Sequence, residues 1–443
     1  MNRRRFLTYS GATLLSAAGG GGIGVFSAAA TAPQVLTIQP ARYRFMDSAT
    51  ENMVSLSGDA PPPVIRMRQN EPFAADVKNT LADATAMHWH GIRLPNDMDG
   101  VPYLTQFPII QDETWHYSFT SKDAGTYWYH PHCMTMDQMA RGLTGVLIVD
   151  EEQDPGFDGE TILNLRDFRL GSDGQFLPLW TPRGAARSGT LGTVMTANWQ
   201  QNPVEEHPAG AIVRLRIANT DTARIYRLVL NGGEGRIIAA DGHPLRAQLP
   251  WPTPESPIAL GPGQRLDIAV LMPDEESGEI VLQHVLGSNA MPLATLRSKG
   301  QSLTRSLQDI PMLPANDIPD ADIETAERID LIFGWSPDGL EPNNGICGTL
   351  GYTFWSINRK PWPGDAAKGT GPVAELKLGK HYILRMRNES PNLHPIHLHG
   401  LVFRPLRSNQ RAIVSNWTDT VLLQKNEILD VFVTADNPGD WAF

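Results

Sequence analysis

The sequence predicts an all-β protein of three similar β-sandwich or barrel units with Greek-key connections. Three observations carry this reading. Forty glycines and 35 prolines among 443 residues point to many turns and short strands. Short runs alternate apolar and polar residues, with little helical periodicity. One set of landmarks recurs three times along the chain. The length is also too great for a single core.

The chain opens with Arg3-Arg4-Arg5-Phe6-Leu7, which fits the twin-arginine export pattern R-R-x-F-L. A weakly apolar, glycine-rich stretch follows, and Ala28-Ala29-Ala30 offers a small-residue cleavage site. Glycines at positions 19 to 22 argue against a membrane-spanning helix. We therefore expect residues 1–30 to be a twin-arginine signal read by that export machinery, and a periplasmic or exported mature protein from about Thr31. No later segment is apolar enough to span a bilayer, so no stable membrane insertion is expected.

The first landmark is an alternating strand that ends in asparagine. It occurs as Val77-Lys78-Asn79-Thr80, Ile217-Ala218-Asn219-Thr220 and Met386-Arg387-Asn388-Glu389. His88 lies nine residues after Asn79, and His397 nine after Asn388; the same step from Asn219 reaches Leu228, with Leu230 two further on. The middle copy therefore reads as the same unit without its histidines. The second landmark is a strand leading to a glycine: Trp115 to Phe119 before Gly125, Leu266 to Val270 before Gly278, and Leu429 to Val433 before Gly439. His130 follows Gly125 by five residues, and the same step from Gly439 reaches position 444. We expect the protein to continue past Phe443 and the third unit to be incomplete as it stands. These landmarks give domains at residues 31–152, 153–300 and 328–443. Residues 301–327, with Pro311, Pro314 and Pro319, read as an exposed linker.

Seven of the twelve histidines fall in three short clusters: His88-Trp89-His90, His130-Pro131-His132, and His394-Pro395-Ile396-His397-Leu398-His399. Residues two apart on a strand leave the same face, so each i,i+2 pair can present both imidazoles together. Imidazole suits copper, zinc, iron and nickel. Copper is favoured over zinc. A structural zinc site prefers four ligands with cysteine prominent, whereas these histidines come in pairs from two similar units. That suits a metal cluster at an interface, with each unit presenting half. His394 breaks the spacing and can serve a separate metal.

The other features are weaker. A net charge of −11 without a basic stripe in the mature region argues against nucleic-acid binding. Two cysteines, Cys133 and Cys347, make no disulfide framework, although one bridge between them is allowed. Cys133 adjoins His132 but points to the opposite strand face, so a plain thiol is the expected state. Met134, Met136 and Met139 follow; thioethers suit Cu(I), but core packing is their expected role. His116, His207, His243, His284 and His381 stand alone and are read as structural.

On these motifs, and over essentially the whole mature chain, the sequence resembles the three-domain multicopper oxidases: laccases, bilirubin oxidases and bacterial cuprous oxidases. The resemblance implies three cupredoxin-like domains and four coppers: one type 1, one type 2 and a binuclear type 3 pair. It implies that His88 and His397 hold type 2, that His90 and His130 hold one type 3 copper, and that His132 and His399 hold the other. His394 would be a type 1 ligand. Asp99, before Gly100, matches the family acid that relays protons near type 2, although an ordinary turn aspartate is the alternative. Asp419 sits where the family often has an acid near the substrate end, and a structural hydrogen bond is its expected role. The family's His-Cys-His segment, with the type 1 cysteine, would follow Phe443. The implied activity is one-electron oxidation of phenolic or aromatic substrates, or of Cu(I), coupled to four-electron reduction of O₂ to water. The competing reading is a non-enzymatic copper-binding or structural periplasmic protein of the same fold; the full set of upstream histidines argues against a purely structural role.

Overall fold

The three repeated asparagines are buried and make the same set of bonds. Asn79 Nδ2 donates to the carbonyls of Asp83 and Ile109, both at 2.9 Å, while its Oδ1 accepts the Leu81 N–H at 2.9 Å. Asn219 does the same with Arg224, Leu260 and Asp221, and Asn388 with Asn392, Gln424 and Ser390. A short amide that can turn the chain and still donate twice explains why asparagine recurs here. Each one fastens the end of its strand to the loop that follows and to the approach of the next antiparallel strand.

The computed structural model describes residues 32–320, 323–335, 355–362 and 371–443. The export signal expected over residues 1–30 and Cys347 lie outside the described residues. The predicted all-β class is correct: strands dominate, and the longest described α-helix is the six-residue Thr135–Ala140. Three successive stretches each build two sheets. In each, the asparagine-ended strand lies between a parallel and an antiparallel partner. Pro72–Asn79 runs parallel to Gln34–Tyr43 and antiparallel to Thr114–Thr120. Ile212–Asn219 is flanked in the same way by Gly159–Phe168 and Arg265–Leu271, and His381–Asn388 by Glu327–Trp335 and Ile428–Thr434. Each stretch has its own apolar core, where the inward residues of the alternating strands meet. Leu228 and Leu230, at the middle copy's histidine positions, are buried in that copy's core.

The expected linker runs over the surface but is held at several points. Asn316 accepts the Ala124 N–H at 2.9 Å and donates to the Ala124 carbonyl at 3.0 Å and to His243 Nδ1 at 3.0 Å. Arg93, paired with Asp123 and Asp436, also donates to the Asp317 carbonyl at 2.8 Å. The segment therefore binds to the first and middle sheet pairs along its route.

Candidate metal centre

Two adjacent strands of the first stretch carry the first histidines. Met87–His90 pairs antiparallel with Gly125–Pro131, and the register sets His88 opposite His130, with ring centroids 5.1 Å apart. The third stretch contributes His394–His397, paired with Thr420–Leu423. His132 and His399 lie just beyond their strands, so the regular period-two placement holds only for His88 and His90. At His399 the chain is already turning: Gly400 has φ +63°, and a Cβ there would lie 2.3 Å from the Trp441 ring.

The fold brings six of the seven predicted histidines together. His88 stacks on His399 at 3.9 Å and His90 on His397 at 3.6 Å. His132 lies 5.3 Å from His399, and His130 lies 5.6 Å from His90. One ligand atom from each of His88, His90 and His397 falls within 4.8 Å of the others, and so does one from each of His88, Asp99 and His399. His394 is placed apart from this group. Its Nε2 meets Ser390 Oγ at 2.7 Å, and its ring stands edge-on to Trp355 at 4.8 Å.

Outer contacts orient the rings. His88 Nδ1 donates to the Asp99 carbonyl at 2.7 Å, and His397 Nδ1 to the Asp419 carbonyl at 2.9 Å. His399 Nδ1 donates to the Asp99 carboxylate at 3.0 Å. The opposite nitrogens, Nε2 of His88 and Nε2 of His397, are buried without a hydrogen-bond partner among the described residues, as is Nδ1 of His90. Unpaired buried nitrogens cost free energy unless something binds them. One ring nitrogen held by an acceptor and the other left bare is the pattern of metal-binding histidine. Burial lowers the pKa of all six, that of His132 to about 3, so the rings are neutral and their lone pairs are available. Burial works against the Asp99 charge, but His399 and His88 outweigh it and hold that carboxyl well below the usual range.

Two sequence models of the multicopper oxidase family match this chain, at residues 37–154 and 347–443. The crystal structure of a multi-copper oxidase from Pseudomonas thermotolerans is 38% identical with a TM-score of 0.83, covering 94% of this chain and 95% of that one. The chain belongs to the multicopper oxidases. A multi-copper oxidase structure from Pseudomonas parafulva is 37% identical, with a TM-score of 0.81 and coverage of 93% and 95%. A multicopper oxidase of Mycobacterium tuberculosis is 27% identical over 453 residues, covering 93% of this chain and 83% of its own. The family and the similar structures support the cupredoxin-like fold, copper binding and oxidoreductase activity in general terms.

Cys133 departs from its sequence reading, while Asp419 makes the structural bonds expected of it, to Arg265 and Thr420, in an unexpected place. Cys133 is half of a disulfide and is buried against Ala84 and Ala86, so it offers no thiolate to a metal. Asp419 does not stand apart from the histidines. Its Oδ1 lies 3.3 Å from His90 Nε2 and 3.4 Å from His397 Nδ1, making it a counterpart of Asp99 on the other side of the cluster. Only the fold could show this, because nothing in Trp417-Thr418-Asp419-Thr420 has a spacing tied to the histidines. The lone histidines all have ordinary partners: Asp76 for His116, Thr161 for His207, Asn316 for His243, the Arg227 N–H for His284 and Thr434 for His381.

Proposed function

We propose that this oxidase couples one-electron oxidation of phenolic or aromatic substrates, or of Cu(I), to four-electron reduction of O₂ to water. The observation that carries this is the convergence of six histidines from two separate stretches, with buried nitrogens left bare on His88, His90 and His397. Copper held there by these histidines would supply the redox chemistry that joins one-electron oxidation of the substrate to four-electron reduction of O₂.

In this reading His88 and His397 hold type 2 copper, His90 and His130 one type 3 copper, and His132 and His399 the other. The matching contacts of His88 and His397, each with Nδ1 on an aspartate carbonyl, support treating these two as a pair. His394, away from the cluster, would be a type 1 ligand. Asp99 holds the His399 and His88 rings and, on this reading, would be the acid that relays protons towards the cluster. The domain limits remain those of 31–152, 153–300 and 328–443, and the middle domain, with leucines at the histidine positions, binds no copper.

Export through the twin-arginine route follows from Arg3-Arg4-Arg5-Phe6-Leu7. The Cys133 disulfide supports it, because disulfides persist in oxidising compartments. No helix among the described residues is long and apolar enough to cross a membrane.

The test is oxygen uptake by copper-loaded, full-length protein, with a methoxyphenol and with Cu(I) as separate reductants. Uptake with either supports the oxidase, and their ratio assigns the reductant. Copper binding with no uptake would favour the non-enzymatic reading. His397→Ala should abolish O₂ reduction and leave the blue type 1 band in place. Unchanged oxygen uptake in that variant would sink the cluster assignment.

A further inference from the structure

The middle sheet pair carries no histidine pair, yet one of its side chains reaches the copper face. Arg265 is fully buried. Its Nη1 and Nη2 donate to the two oxygens of Asp419 at 2.8 and 2.6 Å. Its Nε donates to the Thr126 carbonyl in the first stretch at 3.1 Å, and Nη1 also reaches the Gly263 carbonyl at 3.0 Å. The Arg265 backbone N–H donates to Asp241 at 2.7 Å, and Asp241 in turn accepts from Thr418 at 2.5 Å. One guanidinium thus bonds to residues of all three stretches. Such planar, two-point gripping of a carboxylate is particular to arginine.

From Asp419 the contacts lead to the histidines. The Thr420 hydroxyl donates to Asp419 Oδ1 at 2.7 Å. Its one proton is then used, so towards His90 Nε2, 2.9 Å away, it can only accept. That places the His90 proton on Nε2 and leaves Nδ1 bare, and Nδ1 is the buried nitrogen without a partner. The Asp419 carbonyl takes the His397 Nδ1 proton and leaves Nε2 bare in the same way. Gly91, next to His90, has φ +92°, and a Cβ there would lie 2.5 Å from both Arg265 Nη2 and Asp419 Oδ2. The first stretch leaves room for this ion pair only because that residue is glycine.

We propose that Arg265 is a positioning residue of the copper cluster: by clamping Asp419 it sets the orientation and tautomer of His90 and His397, so the copper-free middle domain helps to build the metal site. The inference rests on the oxidase reading given above. It makes the centre a product of three stretches and not of two.

The experiment compares wild-type full-length protein with Arg265→Gln, Arg265→Lys and Gly91→Ala. Copper per chain, the type 2 electron paramagnetic resonance signal and the near-ultraviolet type 3 band are measured alongside thermal unfolding of the metal-free forms. Loss of an outer partner of a metal-bound histidine weakens metal binding roughly ten- to a hundredfold. Arg265→Gln should retain copper that much less firmly and show an altered type 2 signal. Arg265→Lys, which keeps the charge but not the two-point grip, should recover the fold fully and the type 2 signal only in part. If Arg265→Gln does not fold, Arg265→Lys and Gly91→Ala carry the comparison. Wild-type copper content and an unchanged type 2 signal in every folded variant would overturn the proposal. Wild-type protein that binds no copper would overturn the oxidase reading itself, and the inference with it.

Discussion

At the scale of single residues, the centre depends on two aspartates that serve histidines in parallel ways. Asp99 offers its carbonyl to His88 and its carboxylate to His399, while Asp419 offers its carbonyl to His397 and lies within 3.3 Å of His90. Their surroundings differ. Asp419 is clamped by Arg265, whereas the partners of Asp99 are the imidazoles themselves. On the proposed reading Asp99, whose carboxylate those imidazoles keep ionised, is the acid that would relay protons. Asp99→Asn keeps the backbone carbonyl and nearly the same shape. It should retain the wild-type copper content while oxygen uptake falls about a hundredfold or more, the range expected for loss of a proton-transfer group. Metal analysis beside oxygen-electrode rates checks this; a variant as fast as wild type would return Asp99 to the role of a turn residue.

At the scale of elements, the repeated strand and its terminal asparagine form the unit, and the histidines are added to it. Asn219 shows this, because it keeps every bond of its counterparts in a stretch whose ligand positions are leucine. Asn219→Ala would leave the Arg224 and Leu260 carbonyls and the Asp221 N–H without a partner, at a cost of about 2–3 kcal/mol. Copper content should not change, while the unfolding midpoint in denaturant should fall. Loss of copper from a variant with an unchanged midpoint would contradict this division of roles. The asparagines and the nine-residue step were legible in the sequence because turn chemistry and strand period are local. The placement of His132 and His399 beyond their strands was not, since strand ends depend on partners elsewhere in the chain.

At the scale of the whole molecule, buried polar contacts tie the stretches together, and some respond to pH. His243 is buried where the middle stretch meets the linker. Its Nδ1 accepts from Asn316 at 3.0 Å, and burial pushes its pKa down from 6.5 to about 4. Between those two values the unfolded chain binds a proton that the folded protein does not, so stability falls as pH drops through that window. The loss amounts to about 3 kcal/mol at most. His243→Gln should lower the neutral-pH melting temperature and flatten its decline between neutral and acid pH. Parallel melting curves for variant and wild type over that range would assign the acid sensitivity elsewhere.

The sequence by itself determined the β class, the repeating strand unit, the seven histidines and the expectation of copper. Each of these rests on residue type and short spacing, which the backbone period converts directly into geometry. The tertiary structure alone decided which histidines share a pocket and which nitrogens are left bare. It placed Asp419 beside His90 and His397 and Arg265 against Asp419, although 154 residues separate those two along the chain. Burial and charge pairing act through space between residues far apart in sequence, and no local pattern records them.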